Sequence, residues 1–159
     1  MSHVAVVDTV ITDLEALKKA VKSLGLEWRE GQKTYRWFGT WVKDYNSNDA
    51  AYKNGVDPKT YGKDSLHAIG IPGNDTSYEI GVIQNRDSDG NIKDGFRLVW
   101  DFWSGGHGLT AFVGNKDCGK LVAEYNKESL KAEASVNGYS VNEYTNEQGQ
   151  IVLEMQEYA

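Results

Sequence analysis

The chain has almost no cysteine. Cys118 is the single one among 159 residues, so an internal disulfide and a cysteine-rich zinc site are both excluded. It is also short of positive charge: 17 Lys and Arg stand against 23 Asp and Glu, for a formal net charge of -6. A duplex-binding surface shows the opposite excess. No Lys/Arg cluster stands out either, which argues against nucleic acid as a partner. Long apolar runs are missing too. None approaches the roughly 18 residues of a membrane-spanning helix, and the N-terminus shows no basic stretch followed by an apolar one. The expectation is a cytoplasmic protein with no membrane partner. There is no low-complexity tail, and no sequence repeat links the two halves.

What is present is an ordinary globular composition, 40% hydrophobic and 25% charged. The length suits one domain with a proper core, so residues 1–159 are read as a single domain. Val4 to Ile11 is rich in β-branched residues and reads as a strand. Thr12-Asp13-Leu14-Glu15 fits a capping box, with Thr12 as N-cap. Leu14, Leu17, Val21 and Leu24 then form one apolar helical stripe, and Gly25 sits where a C-cap glycine belongs. Burying those four side chains gives roughly 6–12 kcal/mol of gross transfer energy, before chain entropy is subtracted.

Leu26 to Arg29 and Thr34 to Val42 read as strands around a Gly31 turn, with Tyr35, Trp37 and Trp41 sharing a face. Residues 43–64 are polar and rich in turn signals, a long connection that is either an ordered functional loop or an insertion. Tyr45, Tyr52 and Tyr61 argue that part of it packs down. Leu66 to Ile71 reads as a strand stopped by Pro72-Gly73. Tyr78, Ile80 and Val82 open the next strand, and Asp89-Gly90 marks a hairpin in a loop from Asn85 to Gly95. Cys118, Leu121, Val122, Tyr125, Ala132 and Val136 keep helical spacing up to Asn137-Gly138. A last hairpin runs from Tyr139 through Gly149 to Ile151, Leu153 and Met155. The fold class that follows is α+β: an antiparallel or mixed sheet with two helices packed on one face.

Several of these segments, in this order, resemble a known family. They are Met1-Ser2-His3, Asp13-Leu14-Glu15-Ala16-Leu17-Lys18-Lys19-Ala20 and its end at Leu24-Gly25-Leu26, then Tyr78-Glu79-Ile80-Gly81-Val82, Leu98-Val99-Trp100-Asp101-Phe102-Trp103, and Asn137-Gly138-Tyr139-Ser140-Val141. The chain is similar to the conserved chloroplast hypothetical reading frame thirty-five family of plastids, cyanobacteria, other bacteria and some tailed phages. That family is a domain of unknown function. The resemblance implies a small soluble α+β protein and carries over no catalytic residue.

The run from Phe96 to Gly108 carries the most chemistry. Phe96, Leu98, Trp100 and Phe102 fall on one face at period two, and Arg97, Val99, Asp101 and Trp103 on the other. The first face is core-like. The second bears a cation, a carboxylate and an indole, then meets Gly105-Gly106-His107-Gly108, and is expected to line a solvent-accessible hollow. The candidate ligand-binding residues are Trp37, Trp41, Asp101, Trp103 and His107. The indoles would be walls, Asp101 an acceptor and His107 a polar contact. The leading expectation is a non-enzymatic ligand-binding or accessory module, acting on a small ligand or a protein partner. Its rivals are a small hydrolase-like enzyme using Asp101 and His107 as acid–base pair, and a small-nucleotide sequestering protein whose aromatic walls stack on a base. An edge strand such as Val4–Ile11 or Ile151–Tyr158 is also open to pairing with another chain, so a homo-oligomer is one expected assembly.

Other motifs have plainer readings. Gly106-His107-Gly108-Leu109-Thr110-Ala111 matches the loose dinucleotide fingerprint but lacks a parallel βαβ unit and a distal acid. Asp87-x-Asp89-x-Asn91 opens like a calcium loop, yet its twelfth position is Leu98 where an acid is required, so a hairpin turn is expected. His3, His67 and His107 show no metal-ligand spacing. Cys118 lies on the apolar stripe and reads as core. No cofactor or metal is called for.

Overall fold

A computed structural model describes residues 3–42 and 56–157. Among the described residues seven strands and four α-helices make an α+β fold, in the order β1 (Val4–Val6), α1 (Leu14–Ser23), β2 (Glu27–Arg29), α2 (Phe38–Val42), β3 (His67–Gly70), β4 (Ile80–Arg86), β5 (Ile92–Asp101), α3 (Thr110–Val113), α4 (Gly119–Val136), β6 (Tyr139–Thr145) and β7 (Ile151–Glu157). Five strands form one antiparallel sheet in the order β1-β5-β4-β3-β2, and β6-β7 form a separate ribbon. β1 and β2 therefore occupy opposite edges, and α1 joins them across one face.

That face holds the larger core. Leu17, Val21, Leu98, Trp100, Leu109 and Leu121 are all buried in it, with Phe96 and Phe102 packed alongside. The period-two reading of β5 is thus realised on its apolar side. α1 ends as its sequence indicates: Gly25 adopts a φ of 78°, and Leu26 N–H donates to the Val21 carbonyl at 3.0 Å, the geometry that closes a helix with a left-handed glycine.

Its start differs from expectation by one residue. Asp13, not Thr12, is the N-cap, and its Oδ1 accepts from Ala16 N–H at 3.1 Å. The cause is tertiary. The Tyr125 hydroxyl, projecting from α4, accepts from the N–H groups of Thr12 at 2.9 Å and Asp13 at 3.2 Å. Those donors would otherwise be unsatisfied at the helix entrance, so α4 fixes where α1 begins.

The mixed face of β5 is also a correction. Most of it is covered by a second core of Tyr35, Trp37, Val56, Tyr61, Ala68 and Val99, which buries Arg97 and Asp101, and of this face only Val99 borders an open cleft. Thr34 to Val42 is accordingly no strand. Residues 33–37 run irregularly under the sheet and turn into α2. Gly81 shows why the aromatic segment fits: a Cβ there would lie 2.6 Å from the Tyr35 ring. Arg97, on this face, is buried and donates to the Val7 carbonyl at 2.8 Å. Of the polar connection, Tyr61 is buried as expected, while Tyr45 and Tyr52 lie outside the described residues.

Both hairpins use one turn. Asp87 N–H donates to the Asn91 carbonyl, and Gly90 N–H to that of Asp87. Asn146 and Gly149 repeat this pattern with Gln150. In each turn the leading Asx Oδ1 accepts two further N–H groups, and the glycine takes the left-handed φ that a three-residue loop requires. The Asp87 segment is thus a hairpin turn, tighter than the span from Asn85 to Gly95 suggested. Among the described residues no helix is long and apolar enough to cross a membrane.

Candidate functional site

The site is built where β5 ends. Trp103–Gly106 forms a short 3-10 turn directly after Asp101. Ser104 (φ 51°) and His107 (φ 55°) both adopt left-handed backbone there, as do Gly105 and Gly106. Two non-glycine residues in that region within four positions store strain that the surroundings must hold. Gly106 must be a glycine: its φ is 63°, and a Cβ would lie 2.8 Å from the Trp100 ring. Its carbonyl accepts from Tyr78 N–H at 3.0 Å, tying the turn to the entrance of β4.

Asp101 is the anchor of this arrangement. Its side chain is fully buried. Oδ1 accepts from Trp103 N–H at 2.9 Å and Oδ2 from Phe38 N–H at 3.2 Å. One carboxylate therefore ties the turn after β5 to the start of α2. Phe38 in turn meets Trp103 edge to face, with ring centroids 6.0 Å apart.

Above it a chain of rings reaches the surface. Trp41 stacks on Tyr78 at 5.2 Å and 27°. His107 meets Tyr78 edge to face at 4.8 Å and stands 6.2 Å from Trp41 and 5.7 Å from Trp103. Trp41 remains 48% exposed and Trp103 42%, which is unusual for indoles that have buried neighbours available. The Tyr78 hydroxyl is pushed up to about 12, first by burial and then by the charge of Asp101, so this ring stays neutral.

Of the five candidate residues, the structure brings Trp41, Trp103 and His107 to one surface and sets Asp101 beneath them. Trp37 is elsewhere. It is buried in the second core, edge to face with Tyr61 at 5.4 Å. No hydrogen bond joins Asp101 to His107 among the described residues. Sequence reasoning missed Tyr78 and Phe38. Tyr78 continues the spacing of Ile80 and Val82, so it read as plain core, and its stacking with Trp41 and its backbone bond to Gly106 reveal its second role.

An ion network braces the same region. Glu79 is buried and receives Arg29, Gln32 Nε2 at 2.8 Å and the Arg36 N–H at 2.9 Å, with the Arg36 guanidinium 3.4 Å away. Arg36 also donates to the carbonyls of Ser77 and Asn74. These bonds clamp residues 32–36 to the segment that leads into β4 and leave the guanidinium engaged by Ser77, Asn74 and Glu79.

A separate cleft of about 370 Å³ lies between residues 56–64 and β4-β5, lined by Tyr35, Val56, Thr60, Ile83, Gln84 and Val99 among others. It holds none of the five candidates. Two of its charged groups are turned to backbone: Asp57 accepts from Lys59 N–H and Arg86 donates to the Gly90 carbonyl; Lys63 and Asp64 complete its charged lining. Cys118 is fully buried, and burial pushes its thiol up to about 12, far from the thiolate a nucleophile needs. His67 accepts from Gly31 N–H through Nδ1 at 3.0 Å. No group of His, Cys, Asp and Glu suited to a metal forms among the described residues. Compared with known proteins, the chain matches no family model, no curated protein and no solved structure.

Proposed function

We propose that this chain is a non-enzymatic binding module whose contact surface is Trp41, Trp103 and His107. It takes an uncharged planar group, either a small ring-bearing ligand or an aromatic side chain of a partner protein. The observation that supports this most is the pair of half-exposed indoles held in fixed positions, one by stacking on Tyr78 and one by the Asp101 bond to its backbone. Rigid exposed rings lose little entropy on contact and offer large flat faces. The preference for an uncharged group follows from Arg36, whose nitrogens are committed to Ser77, Asn74 and Glu79. A phosphate would find that cation occupied, which counts against nucleotide sequestration.

The Asp101–His107 hydrolase is disfavoured by the same geometry. The Asp101 carboxylate is fully buried and spent on the Phe38 and Trp103 N–H groups, and among the described residues it makes no hydrogen bond to the His107 imidazole, as an acid–base pair would need. The test is a thermal-shift and fluorescence-quenching screen of nucleosides, free indole and aromatic dipeptides, with the matching nucleotides as comparators. A ligand at a hundredfold its Kd adds about 2.7 kcal/mol to stability. Trp41→Ala and Trp103→Ala should each abolish the shift. If every uncharged planar probe is silent, or if both variants bind as the parent does, the proposal fails.

A further inference from the structure

We infer that the outer edge of β7 is a self-association edge, pairing antiparallel with β7 of a second copy about Leu153. The inference concerns a different surface from the ring-bearing one and does not depend on it.

The hydrogen-bond phase of the ribbon sets the register. Asn146 N–H donates to the Gln150 carbonyl at 2.9 Å, which marks 146 and 150 as a hydrogen-bonded pair. Alternation along an antiparallel ladder then assigns inward bonds to Tyr144/Val152, Asn142/Glu154 and Ser140/Gln156. The backbone groups of Ile151, Leu153 and Met155 consequently point away from β6. Among the described residues no backbone bond from another element reaches them. The edge carries neither proline nor lysine, the usual devices that block strand addition.

Side chains and charge select one partner register. Glu143, on the face of Leu153, binds Lys127 and Lys131 of α4, so this face is turned toward the helix. On it, Ile151 is 48% exposed and Met155 54%. Pairing Leu153 with Leu153 of the second copy sets each Ile151 opposite the other copy's Met155. Every such pair joins outward-pointing backbone groups, so the ladder continues in phase. Glu154 falls opposite Val152, and no carboxylate faces another directly. A shift that centres on Glu154 would oppose two like charges and put inward-bonded residues at the axis. The β6 edge offers no equal alternative, because its centre is flanked by Glu143, already committed to α4. The product is a four-stranded sheet with two-fold symmetry, both α4 helices on one side, and the four exposed side chains at 151 and 155 covering one another. A two-stranded ribbon alone is marginal, and doubling it removes that weakness.

The experiment is sedimentation equilibrium of the full chain from 1 to 200 µM (roughly the range in which a modest interface assembles), with far-ultraviolet circular dichroism to confirm folding of each variant. The parent should move from the 17.7 kDa monomer toward twice that mass. Ile151→Glu combined with Met155→Glu opposes two like-charged pairs and should weaken assembly about tenfold or more. Ile151→Lys combined with Met155→Glu opposes unlike charges in this register alone and should restore it. Within one chain these positions face Thr145 and Val141, so the restoration reports the contact between copies. A parent that stays monomeric throughout overturns the inference. So does a double-Glu variant that assembles undiminished, or a Lys/Glu variant that fails to recover.

Discussion

Replacing Asp101 by Ala tests how the ring surface is held. The carboxylate is 0% exposed and accepts from Trp103 N–H at 2.9 Å and Phe38 N–H at 3.2 Å. Truncation leaves two buried donors unmet, each costing about 1–3 kcal/mol, while the removed carboxylate no longer bears its own burial cost. The net expected loss is about 2–4 kcal/mol. For a chain of this length each kcal/mol moves Tm by roughly 2–4 °C, so the melt should fall by roughly 4–16 °C. Asp101→Asn keeps one accepting oxygen and turns the other position into a donor, so it should lie between the two. Circular dichroism melts and urea titrations give the global number. Tryptophan emission gives the local one, because Trp41 and Trp103 both lose their support when α2 and the turn separate. An Asp101→Ala protein within about 1 kcal/mol of the parent, with unchanged emission, would refute the assignment of Asp101 as the tie between these two elements.

Two further outcomes are expected. Tyr125→Phe removes the hydroxyl that accepts from Thr12 and Asp13 and should cost about 1–2 kcal/mol in urea unfolding; a neutral result would mean that water serves those donors equally well. Stability should also fall at alkaline pH. The Cys118 thiol ionises near 9 in the unfolded chain and at about 12 in the fold, so between those values the native state holds a proton that the unfolded state has released. The thiol's contribution is then flat below pH 9 and falls by about 1.4 kcal/mol per pH unit between 9 and 12. Tyr35, raised by burial from its usual value of 10.0, steepens the fall beyond that point. Urea midpoints at pH 8, 9 and 10 check the slope. Cys118→Ala should flatten the interval from 9 to 10, and an equally steep variant would exclude the thiol as its cause.

The parts of the fold legible in the sequence were those decided by local pattern. Leu17 and Val21 announce the buried side of α1, Gly25 its end, and Leu98 and Trp100 the apolar side of β5, because helix and strand periodicities survive any tertiary arrangement. The Asx-x-x-Gly turns at 87–90 and 146–149 are similarly local. What the pattern could not decide was set by distant partners. Thr12 is as good a cap as Asp13 until the Tyr125 hydroxyl, more than a hundred residues on, takes its N–H. Thr34 to Val42 has strand-like composition, but its aromatic rings find more burial under the sheet than in it, where a Gly81 without side chain leaves room for Tyr35.

Sequence pattern drew attention to the end of β5 but did not separate the roles of the residues there. Asp101 between aromatics marks a buried carboxylate at the end of β5, and a carboxylate enters a core only where donors await it. Sequence cannot say whether those donors belong to a ligand or to the chain. Here they are the amides of Phe38 and Trp103, so the acid acts one layer below the surface it shapes. The same ambiguity hid Tyr78, whose spacing with Ile80 and Val82 is that of any buried strand residue. It lies just before β4 begins, where the Gly106 carbonyl holds its backbone and its ring carries Trp41. A residue at the mouth of a strand can satisfy the core pattern and still support the surface, and register is the one property that separates the two.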